Sequence, residues 1–370
     1  MSRADARRLR VMQSYPALRK TTNPYLKQLH VGLAEHVDVQ SFSWRDALLG
    51  RFDVLHVHWP EVMLRSPSTW RRWLRRGALA AILLRVRLSE RALVRTVHNP
   101  EPHELGSRLE RDLLRLVDRW TTLFVLLVSD TPVPVVGAPH LVIPHGHYRD
   151  WFNGVAVPAS EPGRLAYVGL VRRYKGVEEL LEVFGRTAAD RPLWRLRIVG
   201  RSQDAGLTAA IEAAARIDGR ITARLEYVPD ADLADEVGRA DLVVLPYREM
   251  HNSGSALLAL SLGRPILVPE NAITAALAAE MGDSWVQTYH PPLTLEDLTD
   301  AVRSTPALGA GTGPNLTGRD WGAIASAHAD AYHQARALRR RGAGTPGHRL
   351  RRRTEDSNRS SRSRSERRSP

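Results

Sequence analysis

The sequence predicts an α/β protein that contains two parallel sheets, each packed against helices. Short apolar runs of strand length recur along the chain, and segments with a helical pattern separate them. Strands and helices that alternate in this way form parallel sheets. With 370 residues, the chain is long enough for two domains of ordinary size.

In the first half, six apolar runs bounded by polar or turn residues predict strands at 10–14, 37–41, 54–58, 93–98, 122–128 and 140–143. The segments between these strands predict helices at 24–35, 68–84 and 105–118. The first of these helices begins with Asn23-Pro24, and asparagine followed by proline is typical of a helix start.

The second half alternates more regularly and predicts strands at 164–169, 194–199, 223–228, 242–246, 265–269 and 285–288. Its predicted helices are 177–188, 206–216, 230–239, 255–262, 272–280 and 295–303. A Gly- and Pro-containing stretch, 148–163, separates the halves. We therefore predict domains at 1–150 and 151–303, followed by a loop and crossing helix at 304–338, and a tail at 339–370.

The net charge of +13 is concentrated in that tail. Residues 339–370 contain twelve Arg and three acidic residues, which gives +9 and leaves only +4 for the rest of the chain. The tail has too few apolar residues to form a core, so it predicts a disordered segment. It is either a solvated extension or a site for an anionic partner, and we favour the first because charge runs are commonly just solvated.

The composition excludes several classes of protein and site. Cysteine is absent, which excludes disulfides, cysteine-ligated metals and a cysteine nucleophile. The charged N-terminus predicts no secretory signal, and the longest apolar runs, 78–84 and 123–128, are too short to span a membrane. We expect a cytoplasmic protein.

A loop after the strand 164–169 has the features of a phosphate site. Gly169 permits a tight turn, and Arg172, Arg173 and Lys175 bring cations to the start of a helix. A helix N-terminus with nearby cations binds anions, although a basic surface loop gives the same pattern.

A second helix start follows the strand 242–246. Its small polar residues suit helix capping and close backbone approach to a diphosphate, although an ordinary capped helix would look the same. They are Asn252, Ser253, Gly254 and Ser255. Two such elements at strand ends of one sheet favour a nucleoside-diphosphate ligand.

These motifs resemble the donor domain of the GT-B-fold glycosyltransferases, in particular the family-four-like and exopolysaccharide-type bacterial enzymes. The resemblance rests on G-x-x-R-x-Y-K-G from Gly169, on DLVVLPY at 241–247, and on S-L-G-R-P at 261–265. It implies two Rossmann-like domains that face a cleft, with Arg172 and Lys175 on the donor diphosphate. Met250 and Leu258 stand where the family often has a pair of glutamates.

Polar and aromatic residues follow the strands of the first half, where they would face the same cleft. His98 matches the strand-end histidine that the family places near the transferred sugar, and Glu61 and Glu101 are candidate bases. Tyr15, His58 and Trp59 are candidates for acceptor binding. Trp59 would stack on the acceptor sugar or, alternatively, is a core residue.

Either His56 or His58 is expected to be packed in the core. Zinc is the rival interpretation of the histidines, but their spacing matches no usual zinc pattern. We therefore expect neither a metal nor another cofactor.

The segment Trp70-Arg-Arg-Trp-Leu-Arg-Arg76 predicts a helix that contacts an anionic membrane surface or, alternatively, an ordinary surface helix.

The combined prediction is a hexosyltransferase that moves a sugar from a nucleotide sugar to a lipid-linked or polysaccharide acceptor in exopolysaccharide biosynthesis. It would act as a peripheral protein at the inner membrane face. The resemblance slightly favours GDP-mannose. The alternatives are an epimerase-like enzyme acting on UDP-sugars with the same fold, and a nucleic-acid-associated protein using its basic tail. Nucleic-acid binding would not explain the body of the chain.

Overall fold

The structure is a computed structural model, and it describes residues 8–99, 106–248, 250–306 and 313–343. The chain forms two six-stranded parallel sheets, each packed against helices. All twelve predicted strands are present. The predicted α/β fold class is therefore confirmed.

The first sheet occupies the first half of the chain. Its strands are β1 (Arg10–Gln13), β2 (Asp38–Gln40), β3 (Val54–Val57), β4 (Ala92–Val97), β5 (Leu123–Leu126) and β6 (His140–Val142). The helices are α1 (Pro24–Leu33), α2 (Trp44–Leu49), α3 (Pro60–Leu64), α4 (Thr69–Arg87) and α5 (Arg108–Trp120). The strand order is β2-β1-β3-β4-β5-β6, so the direction of winding changes between β1 and β3.

The second sheet has the order of a dinucleotide-binding fold. Its strands are β7 (Arg164–Val168), β8 (Arg195–Val199), β9 (Ile221–Arg224), β10 (Leu242–Val244), β11 (Ile266–Pro269) and β12 (Val286–Tyr289). The helices are α6 (Val177–Arg186), α7 (Ala205–Ile217), α8 (Asp230–Gly238), α9 (Gly254–Ser261), α10 (Ala272–Met281) and α11 (Leu295–Arg303). The order β9-β8-β7-β10-β11-β12 changes winding direction between β7 and β10.

Burial on both faces explains why the strands appear in the sequence as continuous apolar runs. Every residue of β3, β5, β10 and β11 is buried. Separate apolar clusters lie on the first sheet, one built with α1 and the other with α4.

The last helix, α12 (Trp321–Ala343), returns from the second half and packs against α1 and β4 of the first. It extends past the predicted tail boundary at 338, because the Arg339 guanidinium donates hydrogen bonds to the carbonyls of Val86 and Ser89. The start of the predicted tail is therefore helical, and the rest of it, 344–370, lies outside the described residues. The predicted division after residue 150 stays a prediction.

The sequence predictions differ from the structure in two further places. The helices α2 and α3 were not predicted, because five or six residues are too few to show a helical repeat. The strand predicted at 223–228 is β9, which begins and ends earlier because Ile221 pairs with Leu196 of β8. Among the described residues, no helix is long and apolar enough to span a membrane.

Candidate active site

The switch point of the second sheet brings the two predicted phosphate elements together. Gly169 follows β7 with a φ of 118°, and a Cβ atom there would lie 2.4 Å from the Ser255 Oγ atom of α9. It would also lie 3.6 Å from the Lys175 ammonium nitrogen. Only glycine allows this approach, which places a cation, a hydroxyl and a helix N-terminus around one small space.

Lys175 is positioned by an aromatic residue that the sequence analysis missed. Its ammonium donates a hydrogen bond to the Tyr247 hydroxyl at 3.0 Å and lies 4.5 Å from the centre of that ring. Gly176 follows with a φ of 68°, and a Cβ atom there would lie 1.9 Å from the Pro246 carbonyl oxygen. The loop is therefore held against the end of β10.

The two arginines of this loop have different partners. Arg173 is bound by Asp204, at 2.7 Å, and by Glu178, at 3.2 Å. Its charge is therefore already compensated, which removes it from the cations expected at the phosphate. The Arg172 guanidinium makes no hydrogen bond or ion pair with the described residues, and only its backbone carbonyl is bonded, to the Lys175 N–H. It remains, with Lys175, a candidate for binding an anion.

The start of α9 connects the two halves of the chain. The Ser253 hydroxyl caps the helix by accepting a hydrogen bond from the Ala256 N–H. The Asn252 amide donates to the His98 carbonyl across the cleft, at 2.9 Å. The backbone N–H groups of Gly254 and Ser255 belong to the first turn of the helix, which leaves them without intrahelical acceptors.

At the carboxyl ends of β3 and β4 in the first sheet, His58 and His98 form a buried pair. Their Nδ1 and Nε2 atoms are 3.2 Å apart, and the half-buried Trp59 ring stacks on His98 with the two ring centres 4.0 Å apart. His58 also contacts the Gln13 amide oxygen through Nε2, at 3.0 Å. The structure thus brings His58, Trp59 and His98 together, and Asn252 joins this group to the second half.

More histidines are buried behind this pair. His56 has no exposed surface, which confirms that one residue of the pair His56 and His58 is a core residue. His328 of α12 packs 5.7 Å from His56, and His145 contacts the Tyr25 ring that also packs on His98. Burial lowers the pKa of His58 to about 3, and that of His145 and His328 to about 4. These rings are therefore neutral at physiological pH.

These lowered pKa values predict a loss of stability in mild acid. Below pH 6.5 the unfolded chain binds protons on these histidines while the folded chain does not, so the free energy of unfolding falls as the pH is lowered from about 6.5 to about 4. His328→Gln should reduce the slope of this fall by about 1.4 kcal/mol per pH unit. Urea unfolding at several pH values measures it. The matched control is His333→Gln at an exposed position of α12. An unchanged slope in His328→Gln would contradict the prediction.

Of the remaining predicted residues of the first half, Tyr15 packs against His58 with the two ring centres 5.9 Å apart. Tyr15 is only 6% exposed and its hydroxyl contacts the His30 Nδ1 atom, so it has no open face on which a sugar could stack. Glu61 lies in the first turn of α3, where burial raises its pKa while its own N–H and the charges of Arg95 and Arg65 oppose that rise. Glu101 lies outside the described residues.

A cavity of about 350 Å³ lies between the halves beside the α9 start. Its lining includes His145, Asn252, Ser253 and an ion pair, in which the buried Arg319 guanidinium donates to both carboxylate oxygens of the exposed Glu280 at 2.6 Å. Arg319 also donates to the His145 carbonyl. Within the described ranges, no group of three or more His, Asp or Glu side chains is arranged to hold a metal ion.

Comparison with known proteins gives a family and a relative. The model of the family described as "Glycosyl transferases group 1" matches residues 162–304. The GDP-mannose:glycolipid 4-beta-D-mannosyltransferase of Xanthomonas campestris pv. campestris is 42% identical to this chain over 335 residues. The matched region covers 90% of this chain and 94% of that enzyme.

Two solved structures share the fold at low sequence identity. The sucrose-phosphate synthase from Thermosynechococcus elongatus is 15% identical, with a TM-score of 0.57 over 95% of this chain and 100% of that one. The Anabaena protein HepE, solved in complex with UDP, is 12% identical, with a TM-score of 0.54 over 90% and 98% of the two chains.

Proposed function

This chain belongs to the group 1 glycosyltransferases, and on that premise we propose that it transfers mannose from GDP-mannose to a glycolipid acceptor. The predicted GT-B fold and hexosyltransferase class are confirmed by the family match and by the relative. The proposal for donor and acceptor rests on one observation, the 42% identity to the Xanthomonas enzyme along 90% of the chain. Such a length includes both the donor half and the acceptor half.

In the proposed reaction, the donor diphosphate lies at the switch point between β7 and β10. Lys175, Arg172 and the N-terminus of α9 neutralise the charge that develops as the bond from the anomeric carbon to the phosphate oxygen breaks. The departing GDP keeps the electron pair of that bond. Gly169 and Gly254 leave room for the phosphates, and Asn252, Ser253 and Ser255 contribute polar groups around them.

The acceptor lies against the first half, near Trp59 and His98. Its hydroxyl oxygen forms the new bond to the anomeric carbon, and its proton passes to a base. A β-linked product from an α-linked sugar nucleotide requires inversion, for which a base on the acceptor side is needed. Glu61, two residues after Trp59, is proposed for that role since its raised pKa suits a proton acceptor, with Glu101 as the alternative, while His98, which is hydrogen-bonded to His58, contacts the sugar.

The test is a transfer assay with purified protein, a panel of GDP- and UDP-sugars, and glycolipid in vesicles. Of the nucleotide sugars in the panel, we expect only GDP-mannose to give a mannosylated lipid, with a β linkage by NMR. Activity should persist in excess EDTA, because cations of the chain replace a metal. Product from donor alone would indicate epimerase chemistry instead. Transfer from a UDP-sugar but not from GDP-mannose would overturn the donor assignment.

We further propose that α4 docks the enzyme on the anionic inner face of the membrane, where a glycolipid acceptor would lie. Trp70, Trp73 and Leu74 are 62%, 58% and 61% exposed, and guanidinium groups lie over both tryptophan rings. Two of the four arginines in the predicted segment already have protein partners. Arg75 donates to the Arg65 carbonyl, and Arg76 pairs with Glu110 at 3.6 Å. Arg71 and Arg72 are the arginines of the predicted segment that are left for lipid phosphates.

Replacing both Trp70 and Trp73 by alanine should therefore weaken vesicle binding about tenfold or more, because two large apolar side chains no longer enter the interface. Sedimentation with phosphatidylglycerol vesicles measures this binding. A control variant, Leu193→Ala with Ile217→Ala, removes two exposed apolar side chains from the second half and should bind normally. Equal loss in both variants would contradict docking through α4.

A further inference from the structure

A continuous chain of buried polar groups runs from α12 through β1 to the cleft. The Gln13 side chain, at the end of β1, has no exposed surface and lies at its centre. Its Nε2 donates to the Tyr332 hydroxyl at 3.2 Å, and its Oε1 lies 3.0 Å from the His58 Nε2 atom. A glutamine is unusual in a strand whose other residues are mainly apolar, so its amide needs an explanation.

The amide gives this chain a direction. An amide oxygen only accepts hydrogen bonds, so the His58 Nε2 atom carries a hydrogen and donates a hydrogen bond to the Gln13 oxygen. A neutral imidazole has one N–H, which leaves the His58 Nδ1 atom as an acceptor. Its partner at 3.2 Å, the His98 Nε2 atom, must then be the donor.

On the other side of Gln13, the same rule gives a consistent order. The Tyr332 hydroxyl accepts from the amide and lies 2.8 Å from the His56 Nδ1 atom, to which it donates. The His56 Nε2 atom then donates to the Thr96 hydroxyl, at 2.8 Å. Each hydrogen bond along the chain therefore has one donor and one acceptor, and reversing the amide would reverse each tautomer.

For the cleft, the important result is the state of the remaining His98 nitrogen, Nδ1. This atom has no hydrogen-bond partner among the described residues. It is also not one of the side-chain atoms that are both unpartnered and shielded from solvent, so it can be reached from the cleft. Trp59 stacks on the ring, and the Asn252 amide holds the His98 carbonyl, so the direction of this nitrogen is fixed. A lone pair here would accept a hydrogen bond from a hydroxyl in the cleft.

We propose that Gln13 is a positioning residue that acts through His58 to hold His98 as the Nε2–H tautomer, with an Nδ1 lone pair that accepts a hydrogen bond from a sugar hydroxyl. The recognition of a sugar rests on the proposed function, whereas the tautomer does not. Burial, the neighbouring imidazoles and Arg95 lower the pKa of His98, which keeps the ring neutral. Only a neutral imidazole has a single N–H and therefore a defined tautomer.

The first test uses the unmodified full-length protein without substrate. Nitrogen-15 NMR at neutral pH distinguishes a protonated from an unprotonated ring nitrogen, and His98→Gln assigns the signal. We expect His98 to carry its proton on Nε2 alone. A proton on Nδ1 would overturn the proposal, whether or not the protein transfers mannose and without any Gln13 variant.

The second test compares Gln13→Met with Gln28→Met. The Gln28 amide is enclosed but bonds to none of the described residues, so its loss should leave activity and tautomers unchanged. Gln13→Met should allow His98 to populate both tautomers and should lower kcat about tenfold, with little change in the KM for GDP-mannose. A Gln13→Met protein that folds, keeps the single Nε2–H tautomer and keeps its kcat would overturn the proposal. If His98 has the expected tautomer but the protein transfers no mannose from any donor, the proposed function is refuted and the tautomer assignment stands.

Discussion

Lys175→Met is expected to lower kcat for mannose transfer by about 10²- to 10³-fold, the usual effect of removing one group that stabilises a developing negative charge. The Lys175 ammonium lies beside Gly169 and the start of α9, where the leaving diphosphate is proposed to bind. Methionine has a similar length and keeps the apolar contact with the Tyr247 ring, so the change removes mainly the charge. Steady-state kinetics with GDP-mannose and thermal shift with GDP measure the effect.

Arg173→Met is the matched control, because it removes a cation two residues away whose charge is already bound by Asp204 and Glu178. We expect it to change kcat by less than about threefold, since it takes no part in stabilising the diphosphate. If both variants lose activity equally, the loop acts through its net charge or its folding. If Lys175→Met keeps full activity and full stabilisation by GDP, the diphosphate site lies elsewhere.

Gly176→Ala should lower the free energy of unfolding by about 2 kcal/mol or more, because alanine costs about 1–2 kcal/mol in the left-handed conformation and meets a steric clash as well. The φ of Gly176 is 68°, and the new Cβ atom would lie 1.9 Å from the Pro246 carbonyl oxygen and 3.0 Å from its carbon. These are backbone atoms at the end of a buried strand, so they cannot move aside easily. Urea unfolding and transfer activity measure the effect, and activity should fall because the loop carries Lys175.

The control for this variant is Gly185→Ala, in the helix that follows the same loop. No atom lies within 4 Å of a Cβ added at Gly185, and alanine favours a helix over glycine by about 0.5–1 kcal/mol. This variant should be slightly more stable than the natural protein and fully active. Stability losses of equal size in both variants would show that the contact with Pro246 is not the cause.

The elements of both sheets could be predicted because their signal is local. Strands such as β3 and β5 are buried at every position and appear as unbroken apolar runs, and long helices such as α6 have a clear periodic pattern. The short helices α2 and α3 lack such a repeat. The crossing helix could be predicted, but not its end, because Arg339 is held by carbonyls from α4 and the following loop.

The residues of the candidate site also separate into those that the sequence could predict and those that it could not. Gly169, Lys175 and Ser255, which the structure brings together, were predicted from strand-end position and motif, because both predicted phosphate elements follow strands of one sheet. Tyr247 and Gln13 were missed, since a tyrosine after a strand or a glutamine within one has no motif of its own. Tyr15 was assigned to the acceptor because it follows a strand, but α1 covers it.

By itself, the sequence determined the α/β class and the alternating strands and helices of both sheets, and it predicted the glycine and lysine of the loop after β7, because these depend on residues close together along the chain. Only the tertiary structure decided which cations are free and which histidines are neutral. Arg173 is compensated by Asp204, thirty-one residues away, and the His98 tautomer depends on Gln13 and on His58. Such properties follow from burial and hydrogen-bond partners, and both are set by how distant segments pack together.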